Sequence, residues 1–317
     1  MFTLMVAIFL LSVLVLSISY ICFRIVFYVP PRGNLAQEDI PLPEGEIYEV
    51  FWDDMRKWAL ETRQTPCEEV SITSFDGLKL YGKFYEYAPG APIELMFHGY
   101  RGCAERDLSG GMQRCFQLGR SALIVDQRCA GRSEGNVITF GIHEHRDCLK
   151  WIDFMVQHFG SDVKIILTGI SMGASTVLIA SGCDLPKNVI GVLADCGFNS
   201  AKDIILSVSN KMKLPGKFLY PFIKLGARFF GHFDLEEISA ELAVARCKIP
   251  VLFFHGESDD YVPCEMSRMN FEACNSRKKF VTIPDAGHGL SYPVARERYL
   301  SEARDFFACL IPLESNQ

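Results

Sequence analysis

Six short apolar runs recur along this chain, and they constrain its fold more than any other feature. They lie at Ile93–Phe97, Ala122–Val125, Lys164–Leu167, Val189–Ala194, Val251–Phe254 and Lys279–Ile283. Helical patterns separate most of them, such as Ile142–His158 and Met172–Gly182. A strand buried on both faces has no polar side to show, so it reads as an unbroken apolar run rather than an alternation. Such strands alternating with helices predict a mostly parallel sheet covered on both faces, an α/β fold. Ahead of the first run, Glu69–Tyr87 reads as a β-hairpin turning at Phe75-Asp76-Gly77. Earlier still, Glu46–Thr62 has helical spacing, with Val50, Met55 and Trp58 as candidate buried positions.

The segment from Asp203 to Ala245 breaks this rhythm, being too long for a simple crossover. It holds Phe218, Leu219, Tyr220, Phe222, Ile223, Leu225, Phe229, Phe230 and Phe233. It reads as a helical hairpin packed on the body, or as a cap at about 203–245 whose inner face lines an apolar pocket. The two readings are compatible.

The chain starts with 23 residues, Met1 to Phe23, that carry no charged side chain. At about 1.5 Å per residue they would span roughly 30 Å as a helix, the thickness of a bilayer core. Arg24 ends the run, and Tyr28 suits a membrane interface. A cleaved signal peptide would carry a basic start and a shorter apolar stretch. The expected order is an anchor over 1–29, a linker over 30–46 and a globular domain over 47–317. The prolines at 30 and 31 and the acidic residues of the linker read as a spacer holding that domain off the membrane. The domain after Gly33 is therefore expected to stand alone as a soluble unit. Arg24 and Arg32 follow the span, which predicts a cytoplasmic domain by the positive-inside rule.

A formal net charge of −6 leaves no electrostatic footprint for nucleic acid. The twelve cysteines include no C-x-x-C pair, so no zinc ribbon or redox motif is indicated. Most of them, such as Cys115, Cys148 and Cys309, read as small buried hydrophobes. Unpatterned thiols in this number point to a reducing compartment.

The chemistry-bearing motifs fall at the carboxyl ends of predicted strands, where open α/β sheets bind ligands. Gly169-Ile170-Ser171-Met172-Gly173 follows one strand and opens a helix. This is the strand–turn–helix setting of a nucleophile elbow, in which a serine sits on a strained turn between small neighbours. The Met172 N–H then points at a developing oxyanion, aided by the helix dipole. His98-Gly99-Tyr100-Arg101-Gly102 follows another strand, and its Tyr100 N–H is the candidate second oxyanion donor, with His98 ordering the loop. Gly287-His288-Gly289 places a histidine on a loop free to reach the serine, which makes His288 the candidate general base. His255 is read as shaping the loop after its strand, and His143, His145, His158 and His232 have no supporting pattern. Three aspartates compete for the acid: Asp195 after one strand, Asp259 and Asp260 after the next.

From about Glu69 to Leu310 the chain resembles the α/β-hydrolase superfamily. It is most similar to the bacterial membrane-anchored branch labelled serine aminopeptidase-like or BEM46-like hydrolases. The resemblance rests on the two glycine loops and the serine elbow above. It rests also on Asp126-Gln127-Arg128 with Gly131-Arg132-Ser133-Glu134-Gly135, and on His255-Gly256-Glu257-Ser258-Asp259 with Val262-Pro263. Cys129-Ala130 departs from the glycine or histidine that relatives often carry. The resemblance implies that the acid is Asp259, from the spacing His-Gly-x-x-Asp before Val-Pro. It implies a serine hydrolase acting through an acyl-enzyme, without metal or organic cofactor. Small-molecule carboxylic esters or lipids, with an apolar acyl or alcohol part, are the expected substrates. Thioesters or peptides would use the same three residues, and a non-catalytic membrane-tethered module is the reading from a different class. Oligomeric state is left open.

Overall fold

The computed structural model describes residues 1–30, 40 and 42–310. Most of the predicted linker, including Arg32, lies outside them. One eight-stranded sheet organises the body. Its strands are β1 (Glu68–Thr73), β2 (Lys79–Tyr85), β3 (Ile93–Phe97), β4 (Ser121–Val125), β5 (Ile165–Ile170), β6 (Val189–Asp195), β7 (Val251–Gly256) and β8 (Lys278–Ile283). They are ordered β1-β2-β4-β3-β5-β6-β7-β8. β1–β2 and β2–β4 pair antiparallel, and every later pair is parallel. β3, β4 and β7 are buried along their whole length, as their largely apolar composition favours.

The helices are α1 (Phe2–Val26), α2 (Glu46–Glu49), α3 (Trp52–Gln64), α4 (Ala104–Gln117), α5 (Glu144–Phe159), α6 (Met172–Ser181), α7 (Ala201–Lys211), α8 (Gly216–Phe230), α9 (Ala240–Val244), α10 (Cys264–Ala273), α11 (Ser291–Val294) and α12 (Arg296–Phe307). One apolar cluster gathers the sheet with α5 and α6, through Trp151, Met155, Val177 and Leu178. Another packs Tyr299 and Phe307 of α12 and Trp58 of α3 against β6, β7 and β8. The sheet is thus covered on both faces. Val50 differs from its expected burial. It sits in the break between α2 and α3 and is exposed, whereas Trp58 is buried. Cys115 and Cys148 are buried, but Cys309 lies exposed just after α12, where the chain no longer faces the core.

β3 carries a charge inside the sheet. Glu94 is fully buried and paired with Arg114 and, at 2.7 Å, with Arg120, and it accepts the Thr168 hydroxyl at 2.8 Å. Burial pushes its carboxyl up, but the two guanidinium groups outweigh that and hold it down at about 2.

Between β6 and β7, helices α7, α8 and α9 form the insertion expected at about 203–245. Its aromatic residues divide between two sides. Tyr220, Ile223 and Phe233 are buried, and Phe222 packs partly against the same cluster. Phe218 and Phe229 face outward.

α1 is long and apolar enough to cross a membrane, and it is the one such helix among the described residues. It is not held off the body. Its last turns pack on α8, and Phe27 is completely buried between the rings of Phe140 and Phe233. Residues 27–29 then pair with 136–138, through Val29 N–H to Asn136 O (2.8 Å) and Ile138 N–H to Phe27 O (2.9 Å). The apolar stretch thus runs past the residues a bilayer needs, and its surplus is used in packing.

Candidate active site

The turn between β5 and α6 holds Ser171 at φ 56°, ψ −120°, a conformation costly for a residue with a side chain. The flanking glycines permit it by close approach. A Cβ on Gly173 would lie 2.1 Å from Phe97 O, and one on Gly169 would lie 2.2 Å from Gly173 C and O. Helix, turn and neighbouring strand therefore meet backbone to backbone, and the serine is carried on the first residue before α6. Its own N–H is bound to Asp195 O at 2.9 Å.

His288 lies on the loop after β8. Its Nε2 is 2.9 Å from Ser171 Oγ, and its Nδ1 is 2.7 Å from Asp259 Oδ2. Asp259 comes from the loop after β7 and is buried. Its Oδ1 accepts the N–H groups of Tyr261 (3.0 Å) and Val262 (2.8 Å). Oδ2 also lies 3.2 Å from His255 Nε2. Burial opposes ionisation of this carboxyl. The hydrogen bonds of His255 and His288 to this carboxylate, with their electrostatic attraction, outweigh that opposition and hold it well below the usual carboxylate range.

The competing aspartates are placed elsewhere. Asp260 is exposed and pairs with Lys211 at 2.8 Å. Asp195 is buried on the other side of the elbow, where it accepts the Ser291 hydroxyl at 2.8 Å, and burial raises its carboxyl. Neither is hydrogen-bonded to His288.

The loop after β3 reaches the serine from the opposite side. A Cβ on Gly99 would lie 3.8 Å from Ser171 Oγ. Tyr100 follows on this loop, and Met172, directly after the serine, is the first residue of α6. Asp107 in the first turn of α4 fixes the loop by accepting Gly99 N–H at 3.0 Å, and Arg106 pairs with Asp107. His98 is turned inward: its Nδ1 meets Gly99 O at 2.8 Å, and its Nε2 accepts Gln127 N–H at 3.0 Å. It orders the loop and does not face the serine.

Other motif residues are structural ties. Asp126 accepts Ala104 N–H at the start of α4 (2.9 Å), and Arg128 forms a buried fork on Asp147 at 2.7 and 2.9 Å. Cys129, the departure from the resemblance, is buried in the cluster that holds Phe27, Phe140 and Met172.

Three contacts around the site carry no sequence signal of their own. Tyr48 of α2 donates to the backbone oxygen of His288 at 3.0 Å, across 240 residues. Tyr261 lies over the His288 ring, with centroids 5.1 Å apart. The Tyr100 hydroxyl donates to Val26 O at 2.7 Å, joining the loop beside the serine to the end of α1. A cavity of about 90 Å³ behind the elbow is walled by Trp58, Asp107, Ile170, Asp195 and Tyr292, but Ser171 and His288 do not line it.

The arrangement can move a proton from Ser171 to His288 while Asp259 holds the ring and its charge. Cys196, Asp259 and His288 also lie close enough together to hold a metal ion. Two of the three are already committed to this relay, however.

No family model matches the chain. It is 26% identical to the uncharacterized protein YqkD of Bacillus subtilis over 196 residues, which is 62% of this chain and 64% of that protein. The match thus spans less than two thirds of that relative. It is 25% identical to protein bem46 of Schizosaccharomyces pombe over 261 residues, covering 81% of this chain and 76% of that one. Among solved structures it is similar to the Pyrococcus furiosus esterase Pf2001, with a TM-score of 0.63 and 21% identity, over 89% of this chain and 98% of the esterase.

Proposed function

We propose that this chain, which has the α/β-hydrolase fold, is a serine hydrolase that cleaves carboxylic esters through an acyl-enzyme. The observation that carries the reading is the continuous hydrogen-bonded line Ser171–His288–Asp259 ending on a strained elbow. His288 takes the serine proton as Oγ attacks the ester carbonyl, and the Tyr100 and Met172 N–H groups receive the oxyanion. The C–O bond to the alcohol then breaks, and the alcohol leaves with the proton held by His288. Water, deprotonated by the same histidine, cleaves the acyl–serine bond and releases the acid. Asp259 keeps Nδ1–H bound so that Nε2 faces the serine as an acceptor. An ester substrate agrees with the esterase to which the fold is similar. It also asks less of the site than an amide, because an alcohol leaves more readily than an amine.

The reading extends to location. α1 is taken as a single-pass anchor over 1–29, followed by a linker over 30–46, with the body on the cytoplasmic side of Arg24 and Arg32. Labelling by a fluorophosphonate probe tests the chemistry. Wild type should label and turn over short esters. Ser171→Ala should do neither while melting at the same temperature, and labelling that survives in that variant would refute the assignment.

A further inference from the structure

α1 and α8 meet closely. Ile18, Ser19, Cys22, Phe23 and Val26 form the one face of α1 that is drawn into the protein. A Cβ on Gly226 of α8 would stand 2.4 Å from Ser19 O and 3.1 Å from Phe23 Cβ. Small residues allow such backbone-to-backbone packing between helices. A bilayer core takes up about twenty residues of helix, and the packing on α8 is confined to the last turns of α1, from Ile18 to Val26, beside the Arg24 that ends the uncharged run. α8 therefore lies at the membrane surface whenever α1 crosses the membrane.

The outer side of α8 and the turn before it suit that position. Phe218 and Phe229 are 67% and 56% exposed, with Met212 and Leu214 exposed beside them. Lys213, Lys217 and Arg228 are exposed among these residues. Between Ile204 and Phe233 there is no acidic residue, in a chain of net charge −6; of the five cations there, Lys211 and Lys224 pair with Asp260 and Glu236, and Lys213, Lys217 and Arg228 carry the positive charge of this surface. Aromatic and aliphatic side chains interleaved with cations are the composition of a helix lying in an anionic headgroup layer. The inner side of α8 continues toward the chemistry: Tyr220 and Ile223 share one apolar cluster with Phe27, Phe140 and Met172. Tyr100 and Arg101 bind the last carbonyls of α1 at 2.7 Å (Val26 O) and 2.8 Å (Ile25 O).

We propose that the α7–α8 turn and the outer side of α8 rest in an anionic phospholipid bilayer beside α1, and that Ser171 receives an acyl ester lipid from that bilayer rather than an ester from water. The substrate half of this inference rests on the ester-hydrolase reading above. The seating half does not.

The full chain is reconstituted in vesicles of phosphatidylcholine with phosphatidylglycerol. Seating is read by Phe218→Trp, with brominated phosphatidylcholine as quencher and the wild-type tryptophans subtracted. Delivery is read by comparing monooleoylglycerol in the same bilayer with para-nitrophenyl acetate in water. The expected result is a quenched Trp at position 218. A Phe218→Ser/Phe229→Ser double variant should lose about tenfold on the bilayer ester and keep its activity on the aqueous one. Lys213→Glu/Lys217→Glu/Arg228→Glu should show the same split. An unquenched Trp overturns the seating. A quenched Trp with unchanged bilayer turnover, or with both esters reduced equally, overturns the delivery. A wild type inert on both esters and unlabelled by fluorophosphonate refutes the hydrolase reading and the delivery with it, while the quenching still decides the seating.

Discussion

Replacing Asp259 by asparagine tests the relay at the point where its geometry is most restrictive. Oδ1 is held by two backbone N–H groups at 3.0 and 2.8 Å, and Oδ2 faces the two histidines. An amide nitrogen has nothing to donate to on the Oδ1 side, so Asn must keep its oxygen there and turn its NH2 toward His288 Nδ1. The imidazole proton then moves to Nε2, 2.9 Å from Ser171 Oγ, and that nitrogen can no longer accept the serine proton. Turnover should fall by about 10⁴, as in a serine-protease triad, which is about 5.4 kcal/mol of barrier. The same carboxylate also faces buried His255, so the variant should lose stability as well, by about 1–3 kcal/mol. The assay is turnover of a short ester in detergent, with thermal melts of the same samples. Asp260→Asn removes only an exposed ion pair and should leave turnover and melting essentially unchanged. Asp195→Asn replaces a buried carboxyl that burial already favours in its neutral form, and should act on melting more than on turnover. A folded Asp259→Asn variant within about tenfold of wild type would refute the tautomer reasoning. So would a folded Asp195→Asn variant that alone is inactive.

Phe27→Ala should lower stability by about 3–5 kcal/mol, since this completely buried ring lies between Phe140 and Phe233. Deletion of residues 1–33 should likewise give a body with a lower melting temperature and weaker ester turnover, contrary to the sequence expectation of an independent domain. Equal melting and turnover would bear that expectation out. Glu94 sets an acid limit. Its carboxyl is depressed in the folded state, so its contribution of the order of 3 kcal/mol is complete above pH about 4.5 and is lost as pH falls toward 2. Glu94→Gln should flatten that acid limb and, by stranding Arg114 and Arg120, lower the melting temperature at neutral pH by about 5–10 °C. Melts across pH decide it. Gly173→Ala should prevent the elbow from forming, because its methyl would meet Phe97 O at 2.1 Å, and a variant that still labels with fluorophosphonate at the wild-type rate would contradict that contact.

The sequence by itself determined the parts of this protein that obey short-range rules. Apolar runs of strand length alternating with helices specify a parallel sheet, because a strand buried on both faces has no polar side. The elbow at Ser171 was legible because glycines two residues either side of a serine, between a strand and a helix, form a local pattern, although it is the distant Phe97 O that leaves no room for a Cβ at Gly173. The 23 uncharged residues at the start were legible as a helix long and apolar enough to cross a membrane, because length and composition alone decide that. Tertiary structure decided whatever depends on partners far apart in the chain. His288 meets Ser171 across 117 residues, and Tyr48 holds His288 O across 240. No local pattern sets either distance. Composition alone could not separate the outward Phe218 and Phe229 from the inward Tyr220 and Ile223, because which side of α8 is inward depends on where α1 and the body lie. Glu94 reads as an intrusion in an apolar strand until Arg114 and Arg120 are brought to it by α4 and the loop before β4. That the end of α1 lies against the body was likewise decided by partners far along the chain, since Phe27 packs on Phe140 and Val29 pairs with Asn136.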